Sequence, residues 1–308
     1  MAYSARMQKS HLYSIFFAPR GNERMVDLGM QIAQQYLSPF DKIIGLIGVS
    51  GSGKSMIIKG MFPGLELTND DEGVNIRPLP LLTVEDTGFY TAHTYHVDIR
   101  FESAFLQLHE LADAILYAVG KGKRVIVEHF DLIYEQLGRN AHLLIGIGEE
   151  VIVTRPTLFG PKPQEVSDIV FKSVTTRLMV HTAEDICEYC LIEQGVKPYQ
   201  YRHADVRSGF ILSFSVKPDI DLEKLEKQIN ELINEDVAVS YFDENHILIG
   251  DEKHVCTGPR MHMRSTGEVE KVTLLKELLQ EPITDLFLLI GVVGEIEDLN
   301  DLHNIYLS

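Results

Sequence analysis

The sequence predicts an α/β domain with a mainly parallel sheet, followed by a second domain of α+β type. In the first half, short apolar runs alternate with helical segments, whereas the second half mixes alternating strands with amphipathic helices. The pattern changes after a loop-like stretch with Gly and Pro near residues 160–175. A chain of 308 residues is also long enough for two cores. We therefore expect domains at residues 1–172 and 173–308.

The first half contains the elements of the α/β domain. Short apolar runs that end in glycine or an acid are typical of buried parallel strands, and apolar residues at helical spacing indicate the helices between them. The predicted elements are a strand at 12–18, a helix at 23–37, buried strands at 42–48 and 124–133, a helix at 101–119, and two further apolar segments at 142–148 and 149–156.

The second half has a different pattern. A predicted helix closes at Gly195, and a later one begins at Asp221, whose charge suits the positive end of the helix dipole. Alternation of apolar and polar residues indicates strands elsewhere. The predicted elements are a helix at 175–195, a strand at 209–216, a helix from 221, and further strands at 246–251, 252–256 and 283–296.

Composition and charge exclude several classes of protein. The net charge of −17 disfavours a protein that coats nucleic acid, and we expect no DNA partner. No apolar run is long enough to span a membrane, and the N-terminus lacks the apolar stretch of a signal peptide. Three cysteines in a chain of this length do not form a disulfide framework. We expect a cytoplasmic protein with free or metal-bound thiols.

The clearest motif is an eight-residue loop after the predicted strand at 42–48. It matches the pattern G-x-x-x-x-G-K-[ST] in full, with Gly48, Val49, Ser50, Gly51, Ser52, Gly53, Lys54 and Ser55. In such a P-loop the glycines let backbone N–H groups face phosphate oxygens. Lys54 reaches the β- and γ-phosphates, and the hydroxyl of Ser55 ligates Mg²⁺. The motif predicts binding of a nucleoside triphosphate such as ATP.

A P-loop also needs an acidic group near the metal ion, and the strand at 124–133 offers Glu128 and Asp131. Its segment VIVEH resembles the VIVEG strand of uridine-kinase-like P-loop kinases, with His129 in place of the glycine. The resemblance implies a metal role for Glu128 and a substrate-facing role for Asp98. Each acid can instead be a solvated residue at a strand end. Arg155 and Lys162 can form a phosphate-facing lid or belong to a plain surface loop.

Four segments of the second half occur in a fixed order: HTAED at 181–185, GFILSF at 209–214, the helix from Asp221, and CTGP followed by HMRSTGE at 256–268. This order resembles the second additional domain of threonyl- and alanyl-tRNA synthetases and of free-standing alanyl-tRNA editing proteins. It covers roughly residues 175–275. The resemblance implies a tRNA-editing-like domain and an aminoacyl-tRNA or amino-acid-like partner.

The same resemblance implies a zinc site. Residues at i and i+4 share a helix face, so two helical ligands with a Cys and a His from a loop can hold Zn²⁺ in a tetrahedron. The implied ligands are His181, Asp185, Cys256 and His262. Two features depart from the family pattern. Asp185 replaces a histidine, and two extra residues precede His262, so that Arg260 would take its place unless they bulge out.

Other histidines and cysteines leave alternatives open. Cys187 and Cys190 can join His254 and Cys256 in a different zinc site, or they are inert thiols of the core. We assign no special role to His93 and His96.

Three functions are compatible with these motifs. The first is an ATP-binding protein with an editing-like domain that hydrolyses mischarged tRNA with the help of its metal ion. The second is a small-molecule, nucleoside-like kinase whose C-terminal domain recognises substrate. The third is a nucleotide-dependent sensor without turnover.

Overall fold

The computed structural model describes residues 13–68, 79–82 and 92–294. The N-terminal stretch in which we expect no signal peptide lies outside these residues, apart from its last two. The chain divides into two compact units, Met1–Val174 and Thr175–Ser308, where we predicted a boundary between residues 172 and 173. We call them the N-terminal and the C-terminal unit. Together they form a mixed α/β protein whose largest sheet contains parallel strands.

The N-terminal unit is built on a six-stranded mixed sheet with the order β1-β6-β5-β2-β4-β3. Strands β5, β2, β4 and β3 are parallel, whereas β6 and β1 add an antiparallel edge. The strands are β1 (Tyr13–Phe17), β2 (Ile43–Gly48), β3 (Thr94–Asp98), β4 (Arg124–Glu128), β5 (Leu143–Ile147) and β6 (Glu150–Thr154).

Helices cover both faces of this sheet because its central strands are apolar on both sides. Ile44 and Leu46 of β2 pack in one core with α1 and α2, whereas Ile43 and Ile47 belong to a second core with α4. The helices before residue 163 are α1 (Asn22–Tyr36), α2 (Lys54–Met61), α3 (Ile99–Glu102), α4 (Leu108–Gly120) and α5 (Tyr134–Leu137). The single helix predicted at 101–119 is thus two helices.

Helix α2 follows β2 directly and is held from behind by α1. The two helices meet at Gly29 and Gly60, where an added Cβ would overlap the carbonyl oxygen of Ile57 or Val26 on the other helix. This backbone contact needs glycine on both sides and fixes the position of the start of α2.

Helix α6 (Pro163–Glu193) begins earlier than the predicted start at residue 175. Proline suits the first turn of a helix, and the side chain of Glu165 accepts a hydrogen bond from the backbone N–H of Lys162 at 2.7 Å. Val166 and Val170, one turn apart, are buried in the second core of the N-terminal unit. The loop predicted here is therefore helical from Pro163 onward, and the boundary between the units falls inside α6.

The C-terminal unit contains two antiparallel sheets. Strands β12, β14, β8 and β7 lie in that order with β13 beside β14, and a separate small sheet has the order β11-β10-β9. The strands are β7 (Tyr201–Val206), β8 (Gly209–Phe214), β9 (Val239–Asp243), β10 (His246–Ile249), β11 (Glu252–Val255), β12 (Val272–Leu274), β13 (Leu279–Gln280) and β14 (Phe287–Val293).

Two helical segments support these sheets. The second half of α6 and helix α7 (Leu222–Glu235) share a core with the larger sheet. Asp221 caps α7, since its side chain accepts a hydrogen bond from the N–H of Lys224 at 3.0 Å. No helix in the described part of the chain is long and apolar enough to cross a membrane.

Candidate functional site

The loop between β2 and α2 places Lys54 at the first position of a helix that follows a buried parallel strand. Gly53 caps the helix in the left-handed region, with φ of 93°. The ammonium of Lys54 folds back and donates to the carbonyl oxygens of Gly48, at 3.2 Å, and Val49, at 2.8 Å. The unpaired N–H groups at the start of α2 make this end of the helix favourable for an anion.

Two further residues of the loop are fixed by its tight course. A Cβ added to Gly48 would lie 2.7 Å from the Oγ of Ser52 and 2.9 Å from the carbonyl oxygen of Ile147. Ser52 itself is fully buried, whereas Ser50 and Gly51 lie at the exposed side of the loop. The loop thus packs closely on one side and is open on the other.

Glu128 brings a carboxylate to this loop. It ends β4, the parallel neighbour of β2, and carboxyl ends of parallel strands meet at one edge of a sheet. The hydroxyl of Ser55 donates to Oε1 of Glu128 at 3.3 Å, and Nζ of Lys54 lies 3.8 Å from Oε2. Glu128 is only 2% exposed, so its charge is held away from bulk water.

His96 orients Glu128, a role that the sequence analysis missed. The backbone N–H of Thr68 donates to Nδ1 of His96 at 3.1 Å, so the ring proton of the neutral side chain sits on Nε2. Nε2 therefore donates to Oε1 of Glu128, also at 3.1 Å. The alternation His96-x-Asp98 along β3, one strand from Glu128, is the signal that could have indicated it.

The buried charges of Glu128 and Lys54 partly offset each other. Burial by itself would raise the pKa of the Glu128 carboxyl, but the hydrogen bond from His96 and the charge of Lys54 outweigh it and lower that pKa. Burial lowers the pKa of Lys54 despite Glu128 and Asp98. His129 has φ of 55°, and burial followed by the charge of Lys54 lowers its pKa to about 4.

Asp98 lies beside Glu128, whereas Asp131 lies in the turn that follows β4. Asp98 ends β3, and one of its carboxylate oxygens, a ring nitrogen of His129 and a carboxylate oxygen of Glu128 all lie within 4.8 Å of one another. Its Oδ1 also accepts from the N–H of Phe101 at 3.1 Å, so it caps α3. Asp131 follows in a short 3-10 turn, where burial raises the pKa of its carboxyl.

Arg155, one of the two residues considered for a phosphate-facing lid, is engaged elsewhere. Its guanidinium forms a two-pronged ion pair with Asp41, at 2.6 and 2.8 Å, next to the start of β2 rather than its end. Lys162 and His93 are exposed or half-exposed residues. The segment between Arg155 and Lys162 is a surface loop.

The C-terminal unit brings four potential metal ligands together. One ligand atom each from His181, Asp185, Cys256 and His262 lies within 4.8 Å of the other three. Sγ of Cys256 lies 3.6 Å from Nε2 of His181 and 3.7 Å from Nε2 of His262. Oδ2 of Asp185 lies 3.8 Å from Nε2 of His181 and 2.5 Å from Nε2 of His262.

The local folding explains how these four residues meet. His181 and Asp185 are one turn apart on the buried face of α6, and Cys256 directly follows β11. Arg260 and Met261, which precede His262, lie in a turn closed by the hydrogen bond from the N–H of Met261 to the carbonyl of Gly258, at 3.2 Å. Arg260 instead lies over the ring of Tyr241, 4.9 Å from its centre.

Three of the four separations given above are close to those between the ligands of a tetrahedral zinc ion. Atoms bound to zinc at usual bond lengths lie about 3.3–3.6 Å apart. Three of the measured separations, at 3.6, 3.7 and 3.8 Å, are close to that range. The pair of His262 and Asp185, at 2.5 Å, is a hydrogen bond that would open when an ion replaces the proton. Nδ1 of His262 is buried and has no partner among the described residues.

The electrostatics of this cluster depend on burial. Burial would raise the pKa of the Asp185 carboxyl, but His181 and the hydrogen bond from His262 hold it well below its usual range. Burial and then the charge of Asp185 raise the pKa of the Cys256 thiol. A divalent cation would reverse that effect, because thiolate is the form that binds metal.

The alternative zinc site with Cys187 and Cys190 is not assembled. Both thiols are fully buried in the apolar core of the C-terminal unit. Burial raises the pKa of each, most strongly for Cys187. The two thiols belong to the core, whereas His254 lies close to Asp185 and Glu188.

No model of a known protein family matches the chain, and no curated protein does. A solved structure of an amino transferase from Eubacterium rectale is similar to this chain. The similarity covers 82% of this chain and 72% of the amino transferase, with 10% sequence identity and a TM-score of 0.25. A likeness at that score carries no argument about fold or cofactor.

These comparisons correct the family assignment made from the sequence. The prediction of a uridine-kinase-like domain fused to a second additional domain of tRNA synthetases is wrong, since no model of either family and no curated member of either family matches the chain. The physical reason is the shortness of the motifs. An eight-residue loop and a ligand pattern reflect local chemistry, which chains of unrelated ancestry can share.

Proposed function

We propose that the N-terminal unit binds a magnesium-bound nucleoside triphosphate, such as ATP, at the loop Gly48–Ser55. The observation that carries the proposal is the contact of three side chains at one end of the sheet. Ser55 and Lys54, at the start of α2, both approach the buried carboxylate of Glu128. These contacts support the proposal, because a P-loop needs its Lys and its Ser beside an acidic group that can face the metal ion.

Each residue then has a distinct role. The N–H groups of the loop and the start of α2 receive phosphate oxygens, and Lys54 exchanges its two carbonyl partners for phosphate. Mg²⁺ neutralises charge between the phosphates and keeps several waters. Ser55 and Glu128 lie where they can orient that ion, and His96 keeps the Glu128 carboxylate ionised and turned toward Ser55.

Calorimetric titration of ATP with Mg²⁺ tests the proposal. Lys54→Ala removes the cation that faces the phosphates, and we expect binding to weaken by about 100-fold or more, or some 2.7 kcal/mol. Lys42→Ala is the matched control, because Lys42 also donates to a backbone carbonyl, that of Gly122 at 2.9 Å, but precedes β2. Equal affinity of the wild type and Lys54→Ala would refute the proposal.

A second proposal concerns the C-terminal unit: it holds one zinc ion at His181, Asp185, Cys256 and His262. It is supported by the near-tetrahedral separations and by the thiolate and imidazole ligands, which favour zinc over Mg²⁺. Metal analysis of the purified chain tests it. We expect about one zinc per chain, lost in Cys256→Ser and retained in Cys190→Ser, a buried thiol of the core. Zinc that remains in Cys256→Ser would refute it.

The reaction itself stays a prediction. Transfer of phosphate to a nucleoside-like acceptor, hydrolysis of mischarged tRNA, an amino-acid-like ligand and a cytoplasmic location are compatible with both sites but are not tested by them. Turnover of Mg-ATP with candidate acceptors distinguishes the kinase from the sensor.

A further inference from the structure

His254 is a buried histidine that neither proposed site uses. It is 2% exposed, and its Nε2 has no hydrogen-bond partner among the described residues. A buried imidazole nitrogen without a partner is costly, so such an atom calls for a ligand. One ring nitrogen of His254 and one carboxylate oxygen each of Asp185 and Glu188 lie within 4.8 Å of one another.

The geometry of α6 and β11 explains why this group adjoins the zinc ligands. On α6, His181, Asp185 and Glu188 are spaced four and three residues apart and lie along one buried face. On the strand, His254 and Cys256 are two residues apart and both buried, whereas Val255 between them is exposed. Cys256 lies close to His181 and Asp185, and His254 lies close to Asp185 and Glu188.

We propose that Asp185, Glu188 and His254 bind a second divalent metal ion next to the first, with Asp185 shared between the two. The proposal rests on the zinc ion proposed above. A carboxylate has two oxygens, and its position in both ligand groups lets one oxygen face each ion. Ions bridged in this way lie about 3.5–4 Å apart.

The ligand set defines the kind of ion. Two carboxylates and one imidazole, with no thiolate, favour a harder ion such as Mn²⁺ or Fe²⁺ over the ion that Cys256 selects. Glu188 is already held in place by its neighbours, since the hydroxyl of Tyr201 donates to its Oε2 at 2.9 Å and Nδ1 of His203 lies 3.3 Å from its Oε1. Such partners fix a ligand and raise metal affinity.

Manganese titration followed by electron paramagnetic resonance tests the second site. The full chain is stripped of metal, reloaded with one equivalent of Zn²⁺ and titrated with Mn²⁺, whose free signal falls as it binds. Glu128→Gln serves as the parent chain, because it removes a ligand from the candidate cation group in the N-terminal unit; uptake at the neighbouring group of Glu184, Glu188 and His203 would not depend on His254. We expect one further Mn²⁺ per chain and a loss of affinity of at least about tenfold in His254→Gln, with zinc content unchanged.

Two controls make the result decisive. His109→Gln, at an exposed position on α4, should leave Mn²⁺ binding unchanged. With Co²⁺ in place of Zn²⁺, the signal of bound Mn²⁺ should broaden, because two paramagnetic ions bridged by Asp185 are neighbours.

Each negative result rules out a different part of the two metal proposals. Retained zinc without Mn²⁺ uptake, or uptake that His254→Gln leaves unchanged, overturns the second site. An unbroadened Mn²⁺ signal overturns the sharing of Asp185. Uptake that depends on His254 in a chain that holds no zinc overturns the zinc ion alone, and the absence of both ions overturns both proposals.

Discussion

Glu128 and Asp185 are two buried carboxylates with different surroundings. Both have a pKa that is lowered although burial alone would raise it, and both are contacted by histidine. Glu128 faces a hydroxyl and an ammonium at the rim of an open loop. Asp185 faces two imidazoles and a thiol inside the C-terminal unit. At the first carboxylate three side chains offer ligand atoms, with the ammonium of Lys54 beside Glu128, whereas at the second four side chains offer them and one is a thiol.

Under the two proposals, this difference assigns a different cation to each carboxylate. An ion held by Ser55 and Glu128 needs further ligands from water and phosphate, which is how Mg²⁺ is bound with a nucleotide. An ion held by four protein side chains needs no other partner and contributes to folding. We therefore expect nucleotide-dependent metal binding in one unit and nucleotide-independent binding in the other.

Removal of zinc by a chelator should have the largest effect. The small sheet β11-β10-β9 has only four buried members in its apolar cluster, and one of them is Cys256, a ligand of the proposed zinc ion. We expect the free energy of opening of this sheet to fall by at least about 3 kcal/mol, measured by amide hydrogen exchange. Strands β2 and β4 should be unaffected, and added Zn²⁺ should restore protection. Unchanged exchange at residues 239–256 would show that no ion stabilises this sheet.

Asp185→Asn should weaken zinc binding by about 100-fold or more, since it removes a charged ligand and leaves the side-chain shape. Zinc affinity is measured by competition with a chromophoric chelator. Glu184→Gln is the matched control: it is the adjacent buried carboxylate on α6, and its partner is His203, at 3.1 Å. Equal losses in both variants would indicate a general effect of buried charge.

His96→Leu should weaken Mg-ATP binding by about tenfold, because the hydrogen bond to Glu128 is lost. In the wild type the hydrogen bond from His96 lowers the pKa of Glu128, so the pKa rises when the bond is removed. The acidic limb of the profile of ATP affinity against pH should therefore move to higher pH. His96→Gln, whose amide can still donate, should recover part of the affinity. Identical pH profiles for the wild type and His96→Leu would exclude this positioning role.

Asp221→Ala should have the smallest effect. It removes the cap of α7 and should cost about 1 kcal/mol of stability in the C-terminal unit, measured by urea unfolding. Zinc content should remain at the wild-type level, which separates ordinary helix stability from the metal ion. A parallel loss of zinc would show that the ligands depend on α7.

The strand–loop–helix geometry at residues 48–55 could be predicted because its sequence signal is local. Eight consecutive residues from Gly48 to Ser55 define it, and the strand–loop–helix context lies in the adjoining sequence. Glu128 could be expected from parallel strand order. His96 was missed: its place on β3 could have been read from the alternation with Asp98, but the orientation of its ring depends on the N–H of Thr68, which lies 28 residues away.

The C-terminal cluster was harder to predict because its members lie far apart in the chain. Whether His262 or Arg260 takes part depends on the turn from Gly258 to Met261, which spacing alone left open. His254 was considered with Cys187 and Cys190, but those thiols lie around α6 from His181 and Asp185, in the apolar core. Side-chain direction on a helix and a strand decided the partners.

The affinity for ATP with and without Mg²⁺, in the wild type and Glu128→Gln, tests the central claim most directly. For the wild type we expect Mg²⁺ to tighten binding by about tenfold or more, and for Glu128→Gln we expect most of that gain to be lost while binding without Mg²⁺ persists. An unchanged gain from Mg²⁺ in Glu128→Gln would contradict the assignment of Glu128 to the nucleotide-bound ion.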